Sequence, residues 1–290
     1  MNGTFLDDYS RFWLREGNPT QYSFWIAESI RARSLVTGQV TPALDLSTRS
    51  MKKVTYLLLS GSFSLAIELY PALVANFDKL RLTNTVVSGG QQPKDATSVP
   101  GLYFNTDNRD GMEFSIGSKD SLRAYRPTLN SYQYGEATAL RRLSLLVNNT
   151  VAAAKFAAIA VELKELLESV LWDSHAMFFK ALPYRKSKAQ HHASDPCGHG
   201  ADTGIGTTDT GTGTASNKYQ SLLVKVRELH GYTPWYFNIP SDDKLVAWEM
   251  LMDPRGFYAP HGLTTAEQCH PNFEIDYLGK HECLWNGPSW

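Results

Sequence analysis

The chain has 290 residues, 42% of them hydrophobic, enough apolar surface for a substantial globular core. Lys and Arg number 28 against 29 Asp and Glu, so a net charge of -1 gives no field for a polyanion and no nucleic acid partner is expected. The 3 cysteines, Cys197, Cys269 and Cys283, are too few and too irregularly spaced for a disulfide framework, contain no C-x-x-C, and fit a reducing compartment.

The N-terminus, Met1 to Tyr9, lacks the basic start and apolar centre of a secretory signal, so a cytoplasmic location is the expectation. From Thr4 to Leu14 and from Gln21 to Val36 apolar residues recur at three- and four-residue spacing around the break Asn18-Pro19, which predicts a helical hairpin. Val54 to Leu69 is apolar but shorter than the ~20 residues of a membrane span and is interrupted by Ser60, Ser62, Ser64 and Glu68. It reads as a buried helix, and no membrane partner is expected. The stretch 47–69 also lies between two flanks, Val40 to Leu46 and Tyr70 to Phe77, that would join into one helix without it, so it reads as an insertion.

Thr128 to Val147 and Ala152 to Leu171 predict a second hairpin turning at Asn148-Asn149, with Lys155, Glu162, Lys164, Glu165 and Glu168 mostly on the exposed face of its second helix. Leu171 to Leu182 predicts two short strands around Asp173-Ser174. The segment 185–220 is rich in Gly, Thr, Ser, His and Asp and is expected to be a mobile excursion. A short helix fits Asp242 to Met252, ended by Asp253-Pro254-Arg255-Gly256; the rest of the C-terminal third is loop-rich.

Three groups of residues could carry chemistry. In Arg109-Asp-Gly-Met-Glu-Phe-Ser-Ile116 the carboxylates Asp110 and Glu113 lie among apolar side chains, a setting that raises a carboxyl pKa as a general acid requires. The same pattern also suits a turn with solvated charges. Aromatic clusters follow at Tyr232, Trp235, Tyr236 and Phe237, at Phe257 and Tyr258, and at Trp285 and Trp290; such faces stack on sugar rings or fill a helical core. Glu228, His230, Glu267, Gln268, His281, Glu282 and Asn286 supply polar edges near them.

Two sets of zinc-ligand types, His191, His192, Cys197 and His199, then Cys269, His270, His281 and Cys283, lack the paired spacing of a structural site, and no metal is expected. There is no G-x-S-x-G, P-loop or H-E-x-x-H signature.

Together the motifs resemble the mannosylglycerate hydrolase-like branch of glycoside hydrolase family 63. Asp110-Gly-Met-Glu-Phe-Ser115 matches the general-acid loop Gly-x-Asp-x-Ser of that family, with Glu113 in place of Asp. Tyr125 to Tyr134 resembles the start of the following barrel helix, and Leu171 to Phe179 the hairpin on the toroid. Glu228 to Trp235 and Leu284-Trp-Asn-Gly-Pro-Ser-Trp290 resemble pocket-lining segments, the latter matching Trp-x-Gly-Pro-x-Trp.

The resemblance implies a mainly α fold, an (α/α)6 toroid with a short β-hairpin decoration, over a single domain spanning 1–290. Twelve helices with their loops need roughly 300 residues or more, so the toroid is expected to be incomplete here. It implies inverting hydrolysis of an α-linked glucose or mannose from a small acceptor, with Glu113 as general acid and no cofactor. Asp110, Trp235, Glu267, Gln268, Trp285 and Asn286 would bind substrate. The catalytic base of the family lies beyond Trp290, so an inactive chain, a non-catalytic sugar-binding protein and a truncated fragment are the competing expectations.

Overall fold

The computed structural model describes residues 63–85, 97–106, 116, 123–184, 197 and 217–273. The chain divides into two compact units, Met1–Thr83 with Tyr132–Glu162, and Asn84–Ser131 with Leu163–Trp290. The described part is helical with short strand hairpins, as the mainly α expectation holds. The expected N-terminal hairpin, Thr4 to Val36, lies outside the described residues, as does most of the apolar stretch from Val54.

The first unit takes in most of α1 (Phe63–Asn84), α2 (Pro127–Leu146) and α3 (Thr150–Leu166). Helix α1 runs without a break across the boundary at Leu69 that the sequence suggests for an insertion. Pro71 sits inside the helix and cannot donate to the Ile67 carbonyl. Among the described residues no helix is long and apolar enough to cross a membrane.

Along α3, Ala153, Phe156, Ile159 and Leu163 are buried at three- and four-residue spacing, which gives the helix its apolar stripe. Phe156 meets Phe77 of α1 edge to face, with centroids 5.4 Å apart and planes at 86°, both rings fully buried. Polar contacts at the rim align the same helices. Lys155 Nζ donates to both carboxylate oxygens of Asp78 at 2.6 and 2.8 Å, and Arg81 Nη2 donates to Glu162 Oε2 at 2.7 Å. Tyr70 and Ser144 share a 2.8 Å hydrogen bond between their hydroxyls.

The turn between α2 and α3 falls where the sequence places it, and its chemistry explains why. Asn148 takes the left-handed conformation at φ 58°, Asn149 N donates back to the Ser144 carbonyl at 2.8 Å, and Asn148 N to Leu145 at 3.1 Å. These two bonds close the end of α2, with Asn in the position that tolerates positive φ. Asn149 Oδ1 then accepts from Ala152 N at 3.0 Å, capping the start of α3.

In the second unit a three-stranded antiparallel sheet pairs β1 (Phe104–Thr106), β2 (Arg123–Tyr125) and β5 (Leu182–Pro183) in the order β1-β2-β5. Tyr125 anchors it. Its hydroxyl donates to Thr97 O at 2.9 Å and accepts from Val99 N at 3.2 Å. Burial pushes the phenol up to about 12, which keeps it a donor at any physiological pH. Asn130 locks the neighbouring chain to the first turn of α2: Oδ1 accepts from Tyr103 N at 2.8 Å, while Nδ2 donates to the carbonyls of Tyr103 and Arg126 at 2.9 Å.

The expected helix to Leu171 ends as an α-helix at Leu166 and continues as one π turn, Leu167–Leu171, in which Leu167, Val170 and Leu171 are all buried. It leads into the hairpin of β3 (Trp172–Asp173) and β4 (Phe178–Phe179), paired Trp172 with Phe179 and Asp173 with Phe178, where the sequence predicts two strands. Downstream come the short α4 (Asn217–Gln220), a 3-10 turn Leu229–Tyr232, α5 (Thr233–Tyr236) and a 3-10 segment Asp242–Leu251 in place of the expected helix to Met252. The hairpin of β6 (Tyr258–Ala259) and β7 (Gly262–Leu263) follows.

Of the segment 185–220, the described part is Cys197 and α4. Tyr219 is buried and donates to Ser98 O at 3.1 Å. Gln220 clasps the hairpin, its Nε2 donating to Trp172 O at 2.8 Å and its Oε1 accepting from Ser174 N at 3.2 Å.

Cys197 and Cys269 form a disulfide, with Cα atoms 5.4 Å apart and a sequence separation of 72. This corrects the reading of reduced thiols. Spacing along the chain carries no information about two cysteines that the fold brings together from so far apart.

Two stability predictions follow from this packing. Phe156→Ala empties a fully buried ring site and is expected to cost about 3–5 kcal/mol in denaturant unfolding; a loss under 1 kcal/mol would mean that the Phe77–Phe156 contact does not hold these helices. Reduction of the disulfide is expected to lower stability by about 2–4 kcal/mol. Cys269→Ser should reproduce the loss and remove any further effect of reductant on the melting temperature.

Candidate functional site

The polar centre of the second unit is assembled by one arginine. Arg227 Nε and Nη2 donate to Ala176 O at 2.9 and 2.6 Å, and Nη1 reaches Glu267 Oε2 at 3.2 Å. Glu267 Oε1 accepts the backbone N–H of the same Arg227 at 2.7 Å. Backbone bonds reinforce the junction: Glu267 N donates to Arg227 O at 3.1 Å and Leu229 N to Thr265 O at 2.8 Å. Three separate stretches, the 174–177 turn, 227–229 and 265–267, are therefore held by one guanidinium and one carboxylate.

That turn is shaped by Asp173, whose Oδ1 accepts from His175 N at 2.9 Å and Ala176 N at 3.0 Å. Its Oδ2 lies 3.1 Å from Lys180 Nζ. Burial alone would raise the Asp173 carboxyl, but Lys180 and these N–H donors hold it below the ordinary carboxylate range. Burial draws the Lys180 ammonium down, and Asp173 and Glu267 offset part of that effect.

Next to Arg227 in sequence, Glu228 enters the 3-10 turn with extended backbone, φ -124° and ψ 145°. Two residues on, His230 returns its ring to that carboxylate, Nε2 to Oε2 at 3.1 Å, with both side chains at most 2% exposed. The other imidazole nitrogen, Nδ1, is buried and has no hydrogen-bond partner. Thr233 Oγ1 donates to the His230 carbonyl at 2.7 Å, fixing the step from the 3-10 turn into α5.

Gly231 is required here. A Cβ at this position would run into the Phe178 ring and the Phe179 carbonyl, so only glycine lets the turn press against β4. Phe178 in turn stacks on Phe257 at 5.7 Å and meets Tyr232 edge to face at 4.8 Å.

Trp235 lies in an aromatic group of the same unit. Its ring centroid is 5.3 Å from Phe179, 5.6 Å from Trp248, 5.8 Å from Tyr232 and 6.5 Å from Trp172. Trp235 is half-buried and Trp248 is exposed, so the group is packed on one side and reachable on the other. Lys244 Nζ sits 5.5 Å above the Trp172 ring.

Of the residues that the sequence singles out for substrate binding, three are described. Trp235 is in the aromatic group. Glu267 is fully buried and holds Arg227. Gln268 Nε2 donates to Tyr258 O at 2.6 Å and so steadies the β6 strand. Glu113, Asp110, Trp285 and Asn286 lie outside the described residues. The sequence reading named Glu228 and His230 as polar edges within a pocket-lining segment, gave Asp173 only as a turn residue, and missed Arg227 and Lys180. The Glu-x-His spacing was a usable signal for the first pair; nothing in the sequence pointed to the others.

Cys197 and Cys269 come from the two different zinc-ligand sets weighed above. Their ligand atoms and a Glu267 oxygen lie within 4.8 Å of one another, but the sulfurs are spent on each other.

The chain resembles a solved structure described as a sialidase, with 28% sequence identity and a TM-score of 0.59 over 100% of this chain. It spans 21% of that structure's length. No curated protein matches it. The family model for the mannosylglycerate hydrolase MGH1-like glycoside hydrolase domain matches residues 5–290. The chain thus carries a glycoside hydrolase-like domain and belongs to the mannosylglycerate hydrolase MGH1-like family.

Proposed function

We propose that the chain takes part in inverting hydrolysis of an α-linked glucose or mannose from a small acceptor, and that His230 is a sugar-binding residue of that reaction. The observation that carries this reading is the Glu228–His230 pair: one imidazole nitrogen is held at 3.1 Å and the other, buried, is left without a protein partner. With Nε2–H donated to Glu228, Nδ1 presents a lone pair and accepts from a sugar hydroxyl.

Trp235 supplies an aromatic face for the apolar side of the ring, and Trp285 and Asn286 complete the grip. Glu113 protonates the leaving oxygen, with Asp110 tuning its proton affinity. Inversion then needs a water activated by a second carboxylate ~6.5–9.5 Å from the first. The glycoside hydrolase family of the chain supports the reaction class, and no cofactor is called for by this chemistry.

The test is release of free glucose or mannose from a panel of small α-glycosides by the wild-type chain, Glu113→Gln and His230→Ala. Glu113→Gln is expected to lower turnover ~100-fold or more, and His230→Ala to raise KM. Turnover unchanged in both variants would remove the proposed roles. A folded chain that binds glycosides but releases no sugar would be a carbohydrate-binding protein instead.

A further inference from the structure

Helix α2 satisfies the hydroxyls on its buried side locally. Ser131 Oγ donates to Pro127 O and Ser144 Oγ to Leu140 O, each at 2.7 Å. Gln133 and Glu136 break that habit. Both side chains are fully buried, yet neither amide atom of Gln133 and neither carboxyl oxygen of Glu136 has a hydrogen-bond partner. The residues are three positions apart on one helix, so their Cβ atoms are neighbours about 5–6 Å apart. Four orphaned polar atoms gathered on one turn are costly, because each has given up water without a replacement.

We propose that Gln133 and Glu136, both in the first unit, form a binding pair for adjacent hydroxyl groups of a neutral sugar or polyol. The inference rests on the carbohydrate reading above for its ligand class. Burial pushes the Glu136 carboxyl well above the ordinary carboxylate range and so favours its uncharged form, which has one O–H donor and a carbonyl acceptor. Gln133 likewise offers N–H donors and a carbonyl acceptor. An amide, and a carboxyl whose charged form is disfavoured by burial, suit a neutral ligand better than a metal cation or an ammonium group. Each both gives and takes a hydrogen bond, which is the character of a hydroxyl. Two such groups on one turn match two neighbouring hydroxyls on a sugar ring, and binding would satisfy their four orphaned atoms.

The test is thermal unfolding and calorimetric titration of the full chain with methyl α-mannoside, methyl α-glucoside and glycerol, with 1,3-propanediol as the control whose hydroxyls are not adjacent. Wild type, Glu136→Leu, Glu136→Gln and Gln133→Leu are compared. A ligand-binding pair predicts a trade: Glu136→Leu melts higher than wild type without ligand, because an unpaired buried carboxyl is gone, while its affinity for the glycosides falls at least tenfold. Gln133→Leu should lose affinity similarly, and 1,3-propanediol should shift none of the proteins.

A lower melting temperature in Glu136→Leu, or loss of cooperative unfolding in both Glu136 variants, would show that the carboxyl is a structural group and overturn the proposal. So would a glycoside response equal to wild type in Glu136→Leu, or no response in wild type. The readout is binding, so it stands apart from turnover. A chain that releases no sugar but loses affinity on Glu136→Leu keeps this pair and removes the hydrolysis reading; one that hydrolyses with full ligand response in Glu136→Leu does the reverse.

Discussion

The second unit depends on Arg227. An arginine only 9% exposed has surrendered most of its hydration, and it is tolerable because the Ala176 carbonyl takes two of its N–H groups and Glu267 a third. Such a buried pair contributes little net stability over a well-packed apolar substitute, but loss of either member strands the other charge. What it provides is position. The Asp173 turn, the chain around Glu228 and the chain around Glu267 are distant in sequence, and the fork geometry of one side chain sets where each must lie.

Everything proposed for His230 follows from that clamp. Because Arg227 is held at both backbone and side chain, Glu228 begins from a fixed point, and the 3-10 turn brings His230 back over it. Gly231 then allows β4 to close against the turn, which carries Phe178 and Phe179 into the aromatic group around Trp235. The polar and aromatic parts of the site are thus consequences of one arrangement: charge pairing places the backbone, and ring packing fills the space beside it.

Buried polar groups among the described residues include two kinds. Asn130, Asp173 and Glu267 have their acceptors occupied by N–H groups of the protein. Gln133, Glu136 and the Nδ1 of His230 do not. The first kind builds the structure, and the second is where the proposals above place a ligand, because folding energy is lost at an unpaired buried atom.

Much of the helical architecture was legible in the sequence because it rests on contacts within a few residues. The apolar spacing of α3, the Asn148-Asn149 turn and the strands flanking Asp173-Ser174 are local matters of periodicity, capping and turn chemistry, and they lie where the residues place them. The motif resemblance likewise carried the family, since a motif is a local pattern. The Cys197–Cys269 bond, the hold of Glu267 on Arg227 and the Asp173–Lys180 pair were another matter. Their residues are ordinary in their own neighbourhoods, and which groups meet is settled by the path of the chain through space. Residue spacing determined the helices and turns of this protein by itself; the tertiary structure decided which buried charges are paired and which buried polar atoms go without a hydrogen bond, because burial and partnership exist only once distant segments have come together.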